Sequence, residues 1–254
     1  MAPAFVGRSR ELDQVERLLS GSRLVTVMGA PGAGKTRLAF EAAARLAKQF
    51  AGGVYVCELA PVAAPALVRT AIATALEFAP EVTGDLGGLV RDRFGDTPAL
   101  IVLDNCEHVR AEVAVTMRSI LSAAPAVRAL ATSRERLRIA GETAWTLPSL
   151  SLEEALQLLA MRIAAVDATF AVTADSRPAL VEICERLERL PLALELVAPR
   201  LALLPAGQVA HMLDAALGLL SGGECQATWC PAGWLISWMP TDAAWLSSEL
   251  PPAG

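Results

Sequence analysis

No apolar run in this 254-residue sequence approaches the 18 residues that a membrane-spanning helix requires, and the opening MAPAFVGRSR lacks the hydrophobic centre of an export signal. A soluble, cytoplasmic protein with no membrane partner is expected. A basic excess is missing too, since 22 Lys and Arg stand against 27 Asp and Glu. Sequence-independent binding to nucleic acid needs clustered cations that displace counterions, so direct DNA contact by this chain is disfavoured. Every basic residue falls within residues 1–200; beyond Arg200 the acidic side chains Asp214, Glu224, Asp242 and Glu249 stand without a cation. Cysteine is sparse and odd in number. Cys57, Cys106 and Cys184 lie in apolar stretches and read as small buried hydrophobes, while Cys225 and Cys230 have no second Cys or His pair to complete a zinc site. What the chain has in quantity is apolar residues, 54% of the total, which supports a substantial core and excludes a disordered chain.

The β-rich run at 23–28 ends in the glycine-rich GAPGAG and is followed by the alanine-rich helical stretch LAFEAAARLAKQF. Similar β-rich runs recur at 53–57, 99–103 and 126–131, separated by helical segments near 64–77, 85–94 and 109–123. This alternation predicts an α/β fold in three layers, a parallel sheet with helices on both faces. The run Ala99–Leu103 is apolar at every position, as a central strand should be. After a short strand around 144–147 and the break at Pro148, the pattern turns helical. Ser151 and Glu154 form a capping box, and Leu152, Ala155, Leu156, Leu159 and Ile163 share one helical face. Two more helices are expected at about 176–188 and 192–203. From 221 to 254 no period survives, and Trp229, Trp234, Trp238 and Trp245 fall among Gly, Pro, Ser and Cys. That tail reads as an aromatic docking patch, as a poorly ordered terminus, or as a truncated or shifted reading frame.

Gly29, Ala30, Pro31, Gly32, Ala33, Gly34, Lys35 and Thr36 fit the phosphate-loop pattern G-x-x-x-x-G-K-[ST], in the strand–loop–helix context that the pattern requires. Glycines let the backbone curl so that successive N–H groups point inward, and the following helix adds the positive end of its dipole. Lys35, one of only two lysines, would reach the β- and γ-phosphates, and the Thr36 hydroxyl would ligate Mg²⁺. Arg37, directly after the loop, is counted with the nucleotide-binding residues. A phosphate loop needs an acid to position the metal, usually at the end of an adjacent buried strand. Asp104 closes the apolar run and reads as that acid, holding Mg²⁺ through water, although a helix-capping role is compatible with its position. Asn105 stands where many hydrolytic enzymes of this kind carry a second acid as base. Glu107 is placed to substitute and His108 is a weaker candidate, while Glu107 reads equally as a first-turn helix carboxylate. Fast hydrolysis is not expected. Arg134, after the fourth strand, is a γ-phosphate sensor candidate because its planar fork matches two oxygens. Arg136 and Arg138 are expected to stay solvated.

The segments FVGRSREL, VTVMGAPGAGKTRLA, LIVLDNCEHV, ATSRERL, AGETAWTLPSLSLEEALQLL and LERLPLALELVAPRL follow one another in the order typical of the signal-transduction ATPases with numerous domains. More narrowly, residues 4–220 resemble the NB-ARC-like ATPase module of bacterial LuxR-type and antibiotic-regulatory transcriptional activators. The resemblance implies that Val6, Gly7 and Arg8 lie against adenine and ribose and that Pro191 packs on the base. Proteins of this kind usually carry glycine where this chain has Arg189. It also implies a P-loop nucleotide-binding domain at 1–148, a helical lid at 149–220, and an irregular tail at 221–254. The activity implied is a switch that is closed with ADP, opens and self-associates with ATP, and hydrolyses ATP slowly with Mg²⁺; the alternative is a module that holds nucleotide without turnover. Winged-helix, repeat-sensor and DNA-binding segments expected after 220 are not recognised in this sequence, which then reads as an isolated or truncated module.

Overall fold

A sheet of five parallel strands forms the centre of the computed structural model, which describes residues 5–79 and 85–221, the last eight of these as backbone only. The chain runs α1 (Ser9–Gly21), β1 (Leu24–Met28), α2 (Lys35–Leu46), β2 (Val54–Glu58), α3 (Val68–Ala75), α4 (Leu86–Phe94), β3 (Ala99–Asp104), α5 (Arg110–Ala123), β4 (Val127–Ser133) and β5 (Glu142–Thr146). It continues through α6 (Leu152–Ala164), α7 (Arg177–Arg186), α8 (Pro191–Leu201) and α9 (Ala206–Ser221). The α/β alternation expected from the sequence is what forms. The four Trp residues of the tail, Cys225 and Cys230 lie outside the described residues.

The central strands bury two faces, and the pleat assigns their side chains alternately to two cores. In β3, Leu100 and Val102 enter the cluster that lies under α1 and α2, whereas Ala99, Ile101 and Leu103 enter the one under α3, α4 and α5. All six residues of β3 are buried. At about 1.5–3 kcal/mol for each large aliphatic side chain removed from water, these few positions hold the centre of the sheet. The Cys57, Cys106 and Cys184 thiols are buried and unbridged, and burial pushes the first and last up to about 11 and about 12.

The strand order is β2-β3-β4-β1-β5, so β4 stands between the strand that feeds the phosphate loop and the one that ends in Asp104. This corrects the expectation that the acid sits on a strand adjacent to β1. Alternation in sequence reveals parallel strands with crossovers but leaves their lateral order open.

Two helices were not anticipated. The helix α1 carries Leu12, Val15 and Leu19 on one buried stripe, and α9 follows Pro205. The apolar faces of α6, α7, α8 and α9 pack on one another and are continuous with the core under α1 and α2, from Leu12 to Leu213. The capping box forms as expected: Ser151 Oγ accepts from Glu154 N while the Glu154 carboxylate accepts from Ser151 N. No helix among the described residues is long and apolar enough to cross a membrane.

Candidate functional site

Between β1 and α2 the chain curls through Gly29, Gly32 and Gly34, with φ of 154°, 76° and 88°. These are backbone states that a side chain resists, which is why glycine occupies them. Gly34 also lies beside α8, since a Cβ placed there would come within 3.8 Å of Pro191 Cγ. The Leu192 N–H donates to Gly32 O at 3.2 Å, so the first turn of α8 closes directly on the loop. Pro191 is the first residue of that helix, where its missing N–H is harmless. The Lys35 ammonium reaches back across the loop and donates to Gly29 O and Ala30 O, both at 3.0 Å.

A cavity of about 590 Å³ opens above this loop. Pro31, Gly32, Gly34, Lys35, Thr36 and Arg37 of the loop line it, together with Glu107 and Arg134 from the ends of β3 and β4 and Pro191, Leu192 and Glu195 of α8. A smaller cleft adjoins it. Phe5, Val6 and Arg8 line that cleft together with Gly34, Arg37, Pro191 and Glu195. Pro31, Gly32, Gly34, Lys35, Thr36, Arg37, Glu107, Arg134, Val6, Arg8 and Pro191 thus line one or other of these two adjoining spaces. Gly29, Ala30 and Ala33 contribute backbone behind the floor. Gly7 is packed so closely on Glu154 that a Cβ would lie 2.6 Å from Oε1, and it lines neither space.

Asp104 does not line the cavity either; it stands 8% exposed at the carboxyl end of β3. Thr132, on the intervening β4, links it to its neighbours. Its hydroxyl donates to Asp104 Oδ1 at 2.5 Å and accepts from Asn105 N at 2.9 Å. Asp104 does not cap the following helix, because the turn at Glu107–Val109 and α5 have no side-chain cap. Asn105 lines the cavity with φ 62°, a left-handed state that asparagine tolerates better than most side chains do.

Glu107 and Arg134 engage each other. Arg134 Nε lies 3.1 Å from Glu107 Oε1, while Glu107 Oε2 is buried without a hydrogen-bond partner. His108 is turned away: its Nε2 lies 3.1 Å from Val62 O, outside the cavity lining. Arg136 and Arg138 are exposed, as expected.

Arg8 does more than the sequence reading gave it. The residue is 3% exposed; its guanidinium donates to Pro148 O at 2.9 Å and to Ala33 O of the loop at 3.0 Å, while its backbone N–H donates to Glu154 Oε1 at 2.7 Å. Burial lowers the Arg8 pKa, against the pull of Glu11 and Glu154. Burial pushes Glu154 up, but the N–H and hydroxyl groups of Arg8 and Ser151 outweigh it and hold the carboxylate below its ordinary value.

Sequence reasoning missed Phe40, Thr132 and Glu195. Phe40 and Glu195 were within reach, because each lies four residues after a recognised one, Thr36 and Pro191, on the same helical face. Thr132 carried no local signal. Arg189 has φ 55° at the turn after α7, a conformation that glycine adopts without penalty. Its side chain lines a separate groove with Arg10, Glu11 and Glu154.

The residues present fit a magnesium nucleotide. A glycine cradle that a Cβ would strain meets a cavity within the usual size range for small-molecule sites. The unpartnered Glu107 Oε2 could be satisfied by a hydrated cation. Among the described residues no group of three His, Cys, Asp or Glu could hold a metal alone, which suits a cation carried mainly by phosphates and water.

The AAA-domain family model matches residues 17–138. Over those residues the chain is similar to AAA domains, and its parallel five-stranded sheet with surrounding helices is the α/β fold of P-loop NTPases. Among solved structures, a signal-transduction ATPase with numerous domains and a tetratricopeptide repeat sensor from Pyrococcus horikoshii superposes with TM-score 0.52 at 20% identity, covering 78% of this chain and 30% of that one. Cdc6p of Pyrobaculum aerophilum superposes with TM-score 0.55 at 14% identity, covering 85% and 65%. At these identities the likeness is one of fold. In sequence, the uncharacterized protein Rv0894 of Mycobacterium tuberculosis is 37% identical over 225 residues, covering 88% of this chain and 57% of that protein. Rv0890c of the same organism, whose name is that of an HTH-type transcriptional regulator, is 37% identical over 207 residues, covering 81% of this chain and 23% of its own length. The module therefore corresponds to part of longer relatives.

Proposed function

We propose that this chain is the ATP- and ADP-binding switch module of a transcriptional regulator of the STAND, NB-ARC-like kind. Residues 1–148 form the nucleotide-binding part and 149–220 the lid. In this reading Lys35 and the loop amides hold the phosphates, Thr36 and Asp104 hold Mg²⁺, and Arg134 reads the γ-phosphate. Val6, Arg8 and Pro191 hold the base and sugar, Gly7 sets the path of the chain between Val6 and Arg8 from behind the cleft, and Arg37 borders the loop. The bound metal ion would neutralise charge that develops on the phosphates. The observation that carries the proposal is the hydrogen bond from Leu192 N–H to Gly32 O, with Pro191 beside Gly34. A helix whose first turn rests on the phosphate loop must respond when that loop takes up a phosphate, which is what a two-state element needs. The relative named for an HTH-type regulator supports a place for such a module within longer regulators, and the lack of a basic excess supports leaving this chain without DNA contact. Self-association in the ATP state belongs to the same reading.

Slow hydrolysis follows from Asn105, whose amide cannot accept a proton from water, and from the pairing of Glu107 with Arg134. The same two facts favour the second reading, a module that binds without turnover. Phosphate release measured beside equilibrium binding decides between them. Turnover that vanishes in Lys35→Ala supports the switch with hydrolysis; tight binding with no release supports the second reading; absence of binding refutes both.

A further inference from the structure

Gly34, Arg37, Pro191 and Glu195 line both the loop cavity and the smaller cleft beside it, so they stand at the junction of the two. Resting on the nucleotide reading above, the phosphates lie on the loop and the base lies toward Val6 and Pro191 at the mouth of the small cleft, which leaves the sugar at that junction. A ribose presents two hydrogen-bond donors there, its 2′- and 3′-hydroxyls. Of the four junction side chains, only Glu195 offers an acceptor; glycine and proline bring none and arginine only donates.

The Glu195 carboxylate is also held by its neighbours. It projects from α8, where Arg162 NH2 of α6 lies 2.6 Å from Oε1 and Arg37 NH1 lies 4.0 Å from the same atom. Both guanidinium contacts fall on Oε1, leaving Oε2 to accept another hydrogen bond. Two cations against one carboxylate also offset the repulsion that a negative wall would otherwise exert on a polyphosphate. We infer that Glu195 accepts a hydrogen bond from a ribose hydroxyl of the bound nucleotide and so sets the preference for ribonucleotides over deoxyribonucleotides.

Equilibrium binding of ATP, 2′-deoxy-ATP, 3′-deoxy-ATP and inosine triphosphate to the whole chain and to its Glu195 variants tests this. The wild type should bind ATP about tenfold more tightly than at least one deoxy analogue, as expected for one charge-assisted hydrogen bond. Glu195→Ala should reduce that ratio to about one. Glu195→Gln, which keeps the shape and a weaker acceptor, should retain about two- to threefold, and it serves if the alanine variant does not fold. ATP binding without discrimination against either analogue overturns the inference and leaves the nucleotide reading intact. So does discrimination that survives in Glu195→Ala, or a variant that instead loses selectivity for ATP over inosine triphosphate. A folded wild type that binds none of the four refutes the nucleotide reading and this inference together.

Discussion

The two sides of the cavity are made from different materials. The floor is backbone: three glycines at positive φ and one lysine reaching back to Gly29 O and Ala30 O. The helical side is made of side chains that converge from remote positions, such as Glu154, which accepts from the Arg8 backbone N–H across 146 residues, and Glu195 between Arg37 and Arg162. A backbone-built floor serves any phosphate chain equally, because amides and a dipole read charge and little else. A side-chain wall can choose between ligands and can be rewired, at the expense of charged groups held out of water. The comparison assigns grip to the floor and selectivity and coupling to the wall.

The largest expected effect on the wall is that of Arg8→Ala. It deletes the two guanidinium bonds to Ala33 O and Pro148 O, so stability should fall by about 2–4 kcal/mol, read by chemical denaturation. A loss below about 1 kcal/mol would show that Arg8 does not tie the loop to the helical side.

Next comes Thr132→Val, which keeps the shape and removes the hydroxyl between Asp104 and Asn105. A buried carboxylate and an amide each lose a partner, and the variant should lose about 1–3 kcal/mol. Its nucleotide affinity should also depend less on Mg²⁺ than the wild type's, because Asp104 is no longer held in place. Unchanged Mg²⁺ dependence would mean that this network is structural only.

For Glu154→Gln the expected loss is about 1 kcal/mol at neutral pH, the difference between charged and neutral acceptors for the bonds from Arg8 N and Ser151 N. The Glu154 carboxylate lies below its ordinary value of 4.5 in the folded chain, so its contribution is present above that value. As pH falls through the lowered folded value the contribution is lost, and wild type and variant should converge. Denaturation curves that stay parallel from pH 7 to pH 3 would contradict this.

Smallest is Arg189→Gly, which should stabilise the chain by about 0.5–1 kcal/mol by relieving the left-handed backbone at φ 55°. Since this side chain lines neither the cavity nor its adjoining cleft, nucleotide affinity should stay the same. A change in affinity would extend the selective wall to the turn before α8.

The same contrast explains how much could be read from the sequence. The floor was legible because curling a backbone around phosphate favours glycine at fixed offsets, and glycine takes the positive φ at Gly32 and Gly34 without penalty. The strands were legible because double burial leaves continuous apolar runs such as Ala99–Leu103. Their lateral order was not, and with it went the place of Asp104 relative to β1 and the bridging role of Thr132. Of the helical side, the Ser151–Glu154 capping box was visible as a local motif, but not that Glu154 also receives Arg8. Nothing in a linear pattern states which distant carboxylate an arginine will meet.

The central claim is that the glycine cradle and Lys35 grip a nucleotide. A thermal-shift titration of the whole chain with MgATP and MgADP, run beside Lys35→Ala, tests it most directly. At 100 times the dissociation constant, linkage adds about 2.7 kcal/mol, which raises the melting temperature of a chain this size by about 5–11 °C. The account predicts that rise for the wild type and none for a folded Lys35→Ala. A folded wild type whose melting temperature stays fixed with both nucleotides would contradict it.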